Sequence, residues 1–437
     1  MADDSINYEL VQEPKKDRLL HILLIGTSLA ANLLFGGFIF GWAAVLLLLQ
    51  EERQYSELCS ATDELNAVTH TCVAQDNRLN VIFGVAQVVY TVSSFPVGVL
   101  LDKVDSCTMT VLAGILNTLG LFLMAYSEST GFNAFVIGYT CLALGGIMTL
   151  LIGFQSGFVV VKWQTAILTC VNCIFDASAG IPSLLYLIHE TSGFSRKEII
   201  FFYAILSGAL FLFWALLWYK YNTTKHNSQE SIQESSTIQE LDLRQAPLKS
   251  KLKTFEFAYL LFVTIAHRLH NAIYLGTVNQ TLAYYDDTTH VYTKVFGWVL
   301  SAGFAYIPLI HVVTDRLGLA ASFHATTIFC ICYHIFTFIP SLPVQVASFI
   351  TFVGFRAFLF VSNTAFAADV FGPTHMGTIV GITYCISGLV ALVEIPAATY
   401  TNSSWTGWCV IYSLSLLLAV LVLPATEWYR RRLPTKV

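Results

Sequence analysis

The sequence contains little charge. Aspartate, glutamate, lysine and arginine make up only 12% of its 437 residues, about half the share in soluble domains, and the mean hydropathy is +0.64. It also lacks the Gly-x-Ser-x-Gly, His-Glu-x-x-His and phosphate-loop motifs of common enzyme classes. No basic patch favours a nucleic-acid partner. We therefore predict a multi-pass membrane protein that is not an enzyme, needs no cofactor and acts as a monomer on a small-molecule solute.

Long apolar runs take the place of the missing charge. A helix that crosses a lipid bilayer needs about 20 apolar residues. Twelve runs meet this requirement, at residues 19–49, 80–101, 106–126, 132–156, 163–188, 198–219, 255–280, 293–314, 322–340, 344–368, 376–398 and 405–427. The sequence therefore predicts an all-α protein with twelve membrane spans.

Basic residues are divided unevenly between the two sides of the predicted membrane. If residues 1–18 are cytosolic, 16 of the 23 lysines and arginines fall on that side, five on the other, and two within spans. Cytoplasmic loops carry the excess of basic residues, so both termini are predicted to be cytosolic. Residues 1–18 contain both signs of charge and no cleavage site, which indicates a tail rather than a signal peptide.

A polar, serine- and glutamine-rich stretch divides the chain into two halves. Its composition is typical of a linker that buries no core. The predicted order is a tail at 1–18, a six-helix half at 19–220, the linker at 221–253, a second six-helix half at 254–428 and a tail at 429–437.

Each half has an aspartate followed by a cation in a short cytosolic turn. The first half has Gly98 four residues before Asp102-Lys103, and the second half has Asp315-Arg316 in the matching place. An aspartate in such a turn can pair with helix ends and hold one conformation. We therefore expect both turns to help close a gate on the cytosolic side.

Six segments resemble one transporter family. The stretches FGGFIFGWAAVLLLLQEERQYSELC (35–59), TCVAQDNRLNVIF (71–83), SFPVGVLLDK (94–103), VNCIFDASAG (171–180), YLGTVNQTL (274–282) and FRAFLFVSNTAF (355–366) resemble solute carrier family 43 of the major facilitator superfamily. That family contains facilitative L-type amino acid transporters and an equilibrative nucleobase transporter. The resemblance implies a major facilitator fold, in which spans one, four, seven and ten face a central cavity, and sodium-independent uniport by alternating access. The run IFDASAG is nearer the nucleobase branch.

The resemblance also bears on the first outer loop. Cys59 and Cys72 both lie there, in an oxidising setting, and the family likeness supports a disulfide between them. Asn402, in a later outer loop, is an acceptor sequon for N-glycosylation. These features predict a plasma-membrane location.

Four charged residues lie well inside predicted spans: Asp176, Arg268, Arg356 and Glu394. A charge at the bilayer centre costs at least about 2.5–3.5 kcal/mol, so these side chains should face the cavity. Their charges sum to zero, which predicts pairing across the cavity. Each of them either contacts the substrate or holds helices together, and the sequence leaves both roles open.

Amides and hydroxyls share helix faces with these charges. The further candidates for the cavity are Asn172, Asn271, Asn279, Ser362, Asn363 and Ser387. Asparagine both donates and accepts hydrogen bonds, which suits a neutral planar ligand such as a purine base. The same groups would equally suit the carboxylate and ammonium of an amino acid. Four aromatic residues could stack on a ring: Phe40, Trp42, Tyr274 and Phe360.

The function that these patterns predict is facilitative, sodium-independent transport of purine nucleobases. Two alternatives stay open: a uniporter of large neutral amino acids, and a membrane receptor or scaffold that binds a solute without moving it. His267 and His270 have the i, i+3 spacing that metal sites use. Because no third ligand is near them in the sequence, no metal is predicted.

Overall fold

The computed structural model describes residues 15–60, 72–229, 243–287, 291–300 and 302–432. Most of the predicted tails and the middle of the linker lie outside these residues, and so does the side chain of Asn402. The tail and glycosylation predictions therefore remain predictions.

The first half is built from helices of very different length. They are α1 (Lys15–Ala31), α2 (Trp42–Glu51), α3 (Val73–Lys103), α4 (Ser106–Tyr126), α5 (Phe135–Ser156), α6 (Gln164–Ser178), α7 (Ile181–Ser192) and α8 (Arg196–Gln229). α4 packs against α5 and α8, and α5 also packs against α3.

The second half follows a short helix at the end of the linker. Its helices are α9 (Leu248–Lys251), α10 (Phe255–Tyr284), α11 (Val291–Leu300), α12 (Ile307–Val312), α13 (Leu319–Thr337), α14 (Leu342–Phe366), α15 (Met376–Ala391), α16 (Glu394–Ser403) and α17 (Trp405–Arg432). Here α13 packs against α14 and α17, and α10 packs against α15, α16 and α17.

The described residues form an all-helical membrane protein, as predicted. Ten helices are long and apolar enough to cross a membrane, and the pair α11–α12, bent by 53°, raises the number to 11. α10 has 30 residues and occupies the place of the seventh predicted span. It is not counted among these helices, because its polar side chains lower its hydropathy. The ten long helices, the bent pair and α10 are together compatible with the twelve predicted spans.

Several spans are broken rather than continuous. After α1 the chain passes through a π-helical turn, Asn32–Gly36, and a 3-10 turn, Phe38–Gly41, before α2 begins. Glycine allows this break to press against α6, since a Cβ on Gly37 would lie 2.4 Å from the carbonyl oxygen of Phe175. The span made of α6 and α7 breaks at Ala179 and Gly180, and Pro182 lies in the first turn of α7, where proline is tolerated.

The first outer loop is closed by the predicted disulfide. Cys59 and Cys72 are bonded, with their Cα atoms 5.8 Å apart. The disulfide lies where α3 begins, and Asp102 lies where α3 ends. These positions define the disulfide end and the Asp102 end of the molecule.

The two halves meet most closely along α3 and α15, towards the Asp102 end. A Cβ on Gly98 would lie 2.0 Å from the carbonyl oxygen of Gly377, so only a glycine fits there. The hydroxyl of Ser94 donates to the carbonyl oxygen of Gly381 at 3.1 Å. Towards the disulfide end, by contrast, α2 packs on α7 and α16 packs on α10, each within its own half.

The two aspartate turns behave differently. The Asp102 carboxylate accepts hydrogen bonds from the backbone N–H of Gly377 at 2.9 Å and of Thr378 at 2.7 Å, in the first turn of α15. A helix N-terminus favours a negative charge, so this contact joins the two halves. Asp315 instead pairs with His311 of its own helix at 3.0 Å, where both side chains are partly exposed.

The described end of the linker is docked, not free. Lys251 is fully buried, and its Nζ donates to the carbonyl oxygens of Arg244 at 3.0 Å and Phe371 at 2.8 Å. Arg244 also pairs with Asp369 at 3.0 Å. The linker is therefore attached to the last turn of the α14 span, at the Asp102 end.

Candidate functional site

A buried ion pair joins the two halves in the middle of the molecule. Arg356 of α14 donates from Nη2 to Asp176 Oδ1 at 2.9 Å and from Nε to Oδ2 at 3.1 Å. The side chains are 15% and 7% exposed. Asn271 of α10 accepts a longer bond from Arg356 Nη1 at 3.4 Å. This two-bond geometry fixes the guanidinium plane and links α6, α10 and α14.

Two guanidinium groups lie over the ring of Phe360. The Cζ of Arg356 is 5.4 Å from the centre of this ring, and the Cζ of Arg268 is 5.2 Å from the same centre. Arg268 also lies 5.7 Å from the ring of Tyr384, and no carboxylate of the described residues is within 4 Å of it. The contacts that Arg268 makes with these two rings are therefore cation–π contacts rather than an ion pair.

Three buried polar groups around these arginines have no hydrogen-bond partner among the described residues. They are the hydroxyls of Tyr90 and Tyr384 and the side-chain amide of Asn363, which lacks a partner at both its nitrogen and its oxygen. Asn363 is only 3% exposed. A buried polar group left unpaired costs about 1–3 kcal/mol, so these groups have hydrogen-bonding capacity that the described residues leave unused.

Aromatic rings cover the side of the pair that the first half provides. Phe40, at the break between α1 and α2, lies 5.2 Å from Tyr90 and 5.9 Å from Phe175 between ring centres. Phe175 directly precedes Asp176 in α6. The charged pair is thus flanked by ring edges and faces, which can hold a flat molecule.

Proteins of known name resemble this chain over nearly its whole length, although no protein-family model matches it. Equilibrative nucleobase transporter 1 of Bos taurus is 24% identical, with 91% of this chain and 93% of that protein covered. Large neutral amino acids transporter small subunit 3 of Homo sapiens is 22% identical, with 93% and 92% covered. Protein FMP42 of Saccharomyces cerevisiae is 23% identical, with 92% and 93% covered.

A solved structure decides the fold. A bacterial homologue of the iron transporter ferroportin, in its outward-facing state, matches with a TM-score of 0.61 at 13% identity, covering 94% of this chain and 100% of that one. The chain has a major facilitator fold. The resemblance to solute carrier family 43 that the sequence motifs indicate is confirmed by the two named transporters.

In this major facilitator fold, some predicted cavity residues are used for packing. Asn172 donates to Thr364 Oγ1 at 2.9 Å, which is a second polar link between α6 and α14. Ser362 points away from the ion pair, since its hydroxyl lies 2.7 Å from that of Ser322 on α13. Ser387 donates to the carbonyl oxygen of Tyr384 within α15.

Two further candidates lie apart from the ion pair. The carboxylate of Glu394 lies against Gly276 of α10, where a Cβ would come within 2.6 Å of Oε1. Asn279 is exposed, one turn farther along α10. The expectation that all four intramembrane charges pair is therefore met only by Asp176 and Arg356 among the described residues.

The aromatic candidates also divide. Phe40 and Phe360 lie at the site, as the preceding contacts show. Trp42 instead donates from its indole nitrogen to Asn80 at 3.3 Å. Tyr274 is buried in the second half, where its hydroxyl lies 2.9 Å from that of Ser348.

Sequence reasoning missed three residues at the site: Tyr90, Phe175 and Tyr384. Tyrosine and phenylalanine are abundant in this chain, with 20 and 32 copies, so ring type alone identifies none of them. A usable signal was present for Phe175, which directly precedes the intramembrane Asp176. No local pattern marks Tyr90 or Tyr384, whose role depends on contacts between α3, α10 and α15.

Proposed function

We propose that this chain is a facilitative, sodium-independent transporter that moves purine nucleobases across the plasma membrane, with both termini cytosolic. The observation that carries the proposal is the unpaired amide of Asn363, buried on the same face of α14 as Arg356 and Phe360. A purine base is neutral and flat and has both donors and acceptors on its edge. Such an edge would satisfy both the donor and the acceptor of the amide, and the flat ring would lie beside Phe360.

The position of the ion pair suits alternating access. Asp176 and Arg356 come from different halves, so a ligand bound beside them touches both halves at once. The contact of Asp102 with the N-terminus of α15 would close the cytosolic side of this cycle. Transport would require that α3 and α15 separate there while the halves close over the ligand at the disulfide end.

The substrate gradient alone would drive this cycle. Asp176 is already neutralised by Arg356, whereas Glu394 has no ion-pair partner among the described residues. The proposal is uniport without sodium, and a dependence of uptake on a proton gradient would instead show that Glu394 carries a coupled proton.

One observation favours a second candidate, a uniporter of large neutral amino acids. Arg268 has no carboxylate partner among the described residues within 4 Å, and an amino acid would supply one. In that case Asn271 or a ring face would receive the ammonium group. The human relative described above is named as a transporter of large neutral amino acids.

Uptake into cells that express the chain tests both candidates. Labelled adenine and labelled leucine are compared in sodium-free buffer, with surface protein measured in parallel. Adenine uptake that other purines inhibit supports the nucleobase proposal, and leucine uptake transfers the assignment to amino acids. If both solutes bind to purified protein but neither enters cells, the chain is a receptor or scaffold rather than a transporter.

A further inference from the structure

Behind the transport site, the second half contains a buried cluster of two imidazoles and a thiol. His267 and His270 lie on α10, and Cys330 lies on α13, which the linear sequence places 60 residues away. Each side chain is at most 1% exposed. One ring nitrogen from each histidine and the sulfur of Cys330 all lie within 4.8 Å of one another. The packing of α13 beside α10 thus brings a third ligand, Cys330, close to the two histidines.

The two imidazoles are not held by the hydrogen bonds that buried histidines normally make. Neither ring nitrogen of His270 has a partner among the described residues, and Nδ1 of His267 also has none. The other nitrogen of His267 lies 3.2 Å from Thr327 Oγ1. Buried polar groups are almost always paired, so these free nitrogens indicate that a partner is meant to occupy the space between them.

The neighbouring histidine is already engaged. His334 uses Nδ1 on the carbonyl oxygen of Cys330 at 2.8 Å and Nε2 on Ser415 at 2.9 Å. Its Nδ1 also lies 3.9 Å from the sulfur of Cys330, and the hydroxyl of Tyr333 lies 3.8 Å from that sulfur. Because both ring nitrogens of His334 already have hydrogen-bond partners, His334 is not a fourth ligand. The cluster therefore offers three ligands.

We propose that His267, His270 and Cys330 form a site for a monovalent copper ion, Cu⁺, that fastens α10 to α13. Thiolate and imidazole are ligands that select Cu⁺ and zinc over harder cations. On binding, the thiol loses its proton to solvent, and copper stays in the same oxidation state. One thiolate and two neutral imidazoles then cancel the single positive charge of the ion.

Charge and ligand number both favour Cu⁺ over Zn²⁺. The same three ligands would leave zinc with a net positive charge inside the bilayer, where charge is costly, and structural zinc sites take four ligands rather than three. With bonds of about 2.0–2.3 Å, a trigonal set places its ligand atoms about 3.5–4.0 Å apart. The cluster reaches that spacing if its atoms, which lie within 4.8 Å of one another, move together by up to about 0.8–1.3 Å.

The proposed ion would act on the helix that carries part of the transport site. His267 and His270 each directly precede a site residue, Arg268 and Asn271, in α10. Metal bonds to Cys330 would fix the rotation of α10 relative to α13. The ion would therefore hold these two polar side chains toward the ion pair from behind.

Copper binding to the full chain in detergent micelles tests the proposal. Cu⁺ is supplied without oxygen from its coloured complex with bicinchoninate, and the protein is added in steps. Wild type is expected to withdraw one Cu⁺ per chain, and excess Zn²⁺ should not prevent it. Cys330→Ser and His270→Gln should each weaken the binding by at least about tenfold. Cys332→Ser, on the same helix but only half-buried, should bind like wild type.

A second measurement on wild type alone guards against variants that do not fold. X-ray absorption at the copper edge should show one sulfur and two nitrogen neighbours around the ion. The proposal is overturned if folded wild type withdraws no copper, if Zn²⁺ displaces it, or if Cys330→Ser binds as tightly as wild type. A shell made only of sulfur would also overturn it.

Discussion

Asp176 and Arg356 neutralise each other inside the predicted membrane region, where an unpaired charge would be costly. Both come from spans with no other charge nearby, and their side chains meet although 180 residues separate them. The pair serves structure, because it joins α6 to α14, and it also sets the polarity of the space beside Phe360. Of the two roles that the sequence left open, the structure shows the one that holds helices together, and contact with the substrate stays a prediction.

Asp176→Asn is expected to separate these roles. The substitution keeps the shape but leaves Arg356 buried without a carboxylate, a change that costs on the order of 3–5 kcal/mol. We expect lower thermal stability and at least a tenfold loss of adenine uptake per surface molecule. A double variant that adds Arg356→Gln removes both charges and should recover stability but not uptake. Unchanged uptake in the single variant would contradict the role given to Asp176.

Asn363 and Ser362 offer a matched pair of adjacent residues. Asn363→Ala removes the unpaired amide, and the KM for adenine should rise roughly tenfold, as expected for one or two lost hydrogen bonds. Ser362→Ala removes a hydroxyl that bonds only within the second half, to Ser322 and Thr326. Its KM should change by less than about twofold. Equal effects of the two variants on KM would show that Asn363 does not contact the substrate.

α3 and α15 make the closest contact between the two halves, and this contact lies towards the Asp102 end. The contact of α3 with α15 depends on glycines at the crossing, and on an aspartate that binds a helix N-terminus across it. The matching turn in the second half makes no such contact, because Asp315 is occupied by His311. At the Asp102 end, therefore, the aspartate of the first half binds across to the other half and that of the second half does not.

Gly98→Ala tests this gate directly. The added methyl group would meet the carbonyl oxygen of Gly377, and such overpacking typically costs about 1–3 kcal/mol. The closed state should lose population by roughly 5- to 150-fold relative to the open one. The readout is the alkylation rate of a cysteine placed at Ser94, which is buried in the contact.

The same helix provides the control for that experiment. A Cβ on Gly84 would meet no atom within 4 Å, so Gly84→Ala should leave both alkylation and uptake as in wild type. A slow alkylation rate in Gly98→Ala, equal to that in Gly84→Ala, would mean that the α3–α15 contact does not form the gate.

Helices were easier to predict than their contacts. Apolar length identified the spans, and Pro182 marked the break in the fifth one, because these signals are local in the sequence. The partners of Ser362 and Cys330 lie on α13 and α10, and no local pattern encodes them. The sequence named both Ser362 and its neighbour Asn363 as cavity candidates. Only the packing of α14 against α13 shows which of the two faces inward.

The whole molecule is two helical halves held together by few polar contacts. The sequence predicted the division into halves from the linker and the paired aspartate turns. It predicted that both aspartate turns would help close a gate, but only Asp102 reaches a helix N-terminus in the other half, because Asp315 pairs with His311.

The disulfide is expected to stabilise the molecule without taking part in transport. It links positions 13 residues apart, and a bond that closes a loop of about this length contributes roughly 3 kcal/mol in the chain-entropy model. Replacing Cys59 and Cys72 together by serine should lower the thermal unfolding temperature but keep the KM for adenine. Replacing the free cysteines Cys385 and Cys409 serves as control. A changed KM would show that the loop reaches the substrate path.

Counterflow in proteoliposomes tests the central claim most directly, because it needs only the purified chain and one solute. Vesicles loaded with unlabelled adenine, without a sodium or proton gradient, receive labelled adenine outside. We predict that internal adenine accelerates entry of the label in wild type, and that Asn363→Ala needs a higher adenine concentration for the same rate. Acceleration by internal leucine and not by adenine, or equal rates in loaded and empty vesicles, would contradict nucleobase transport through this site.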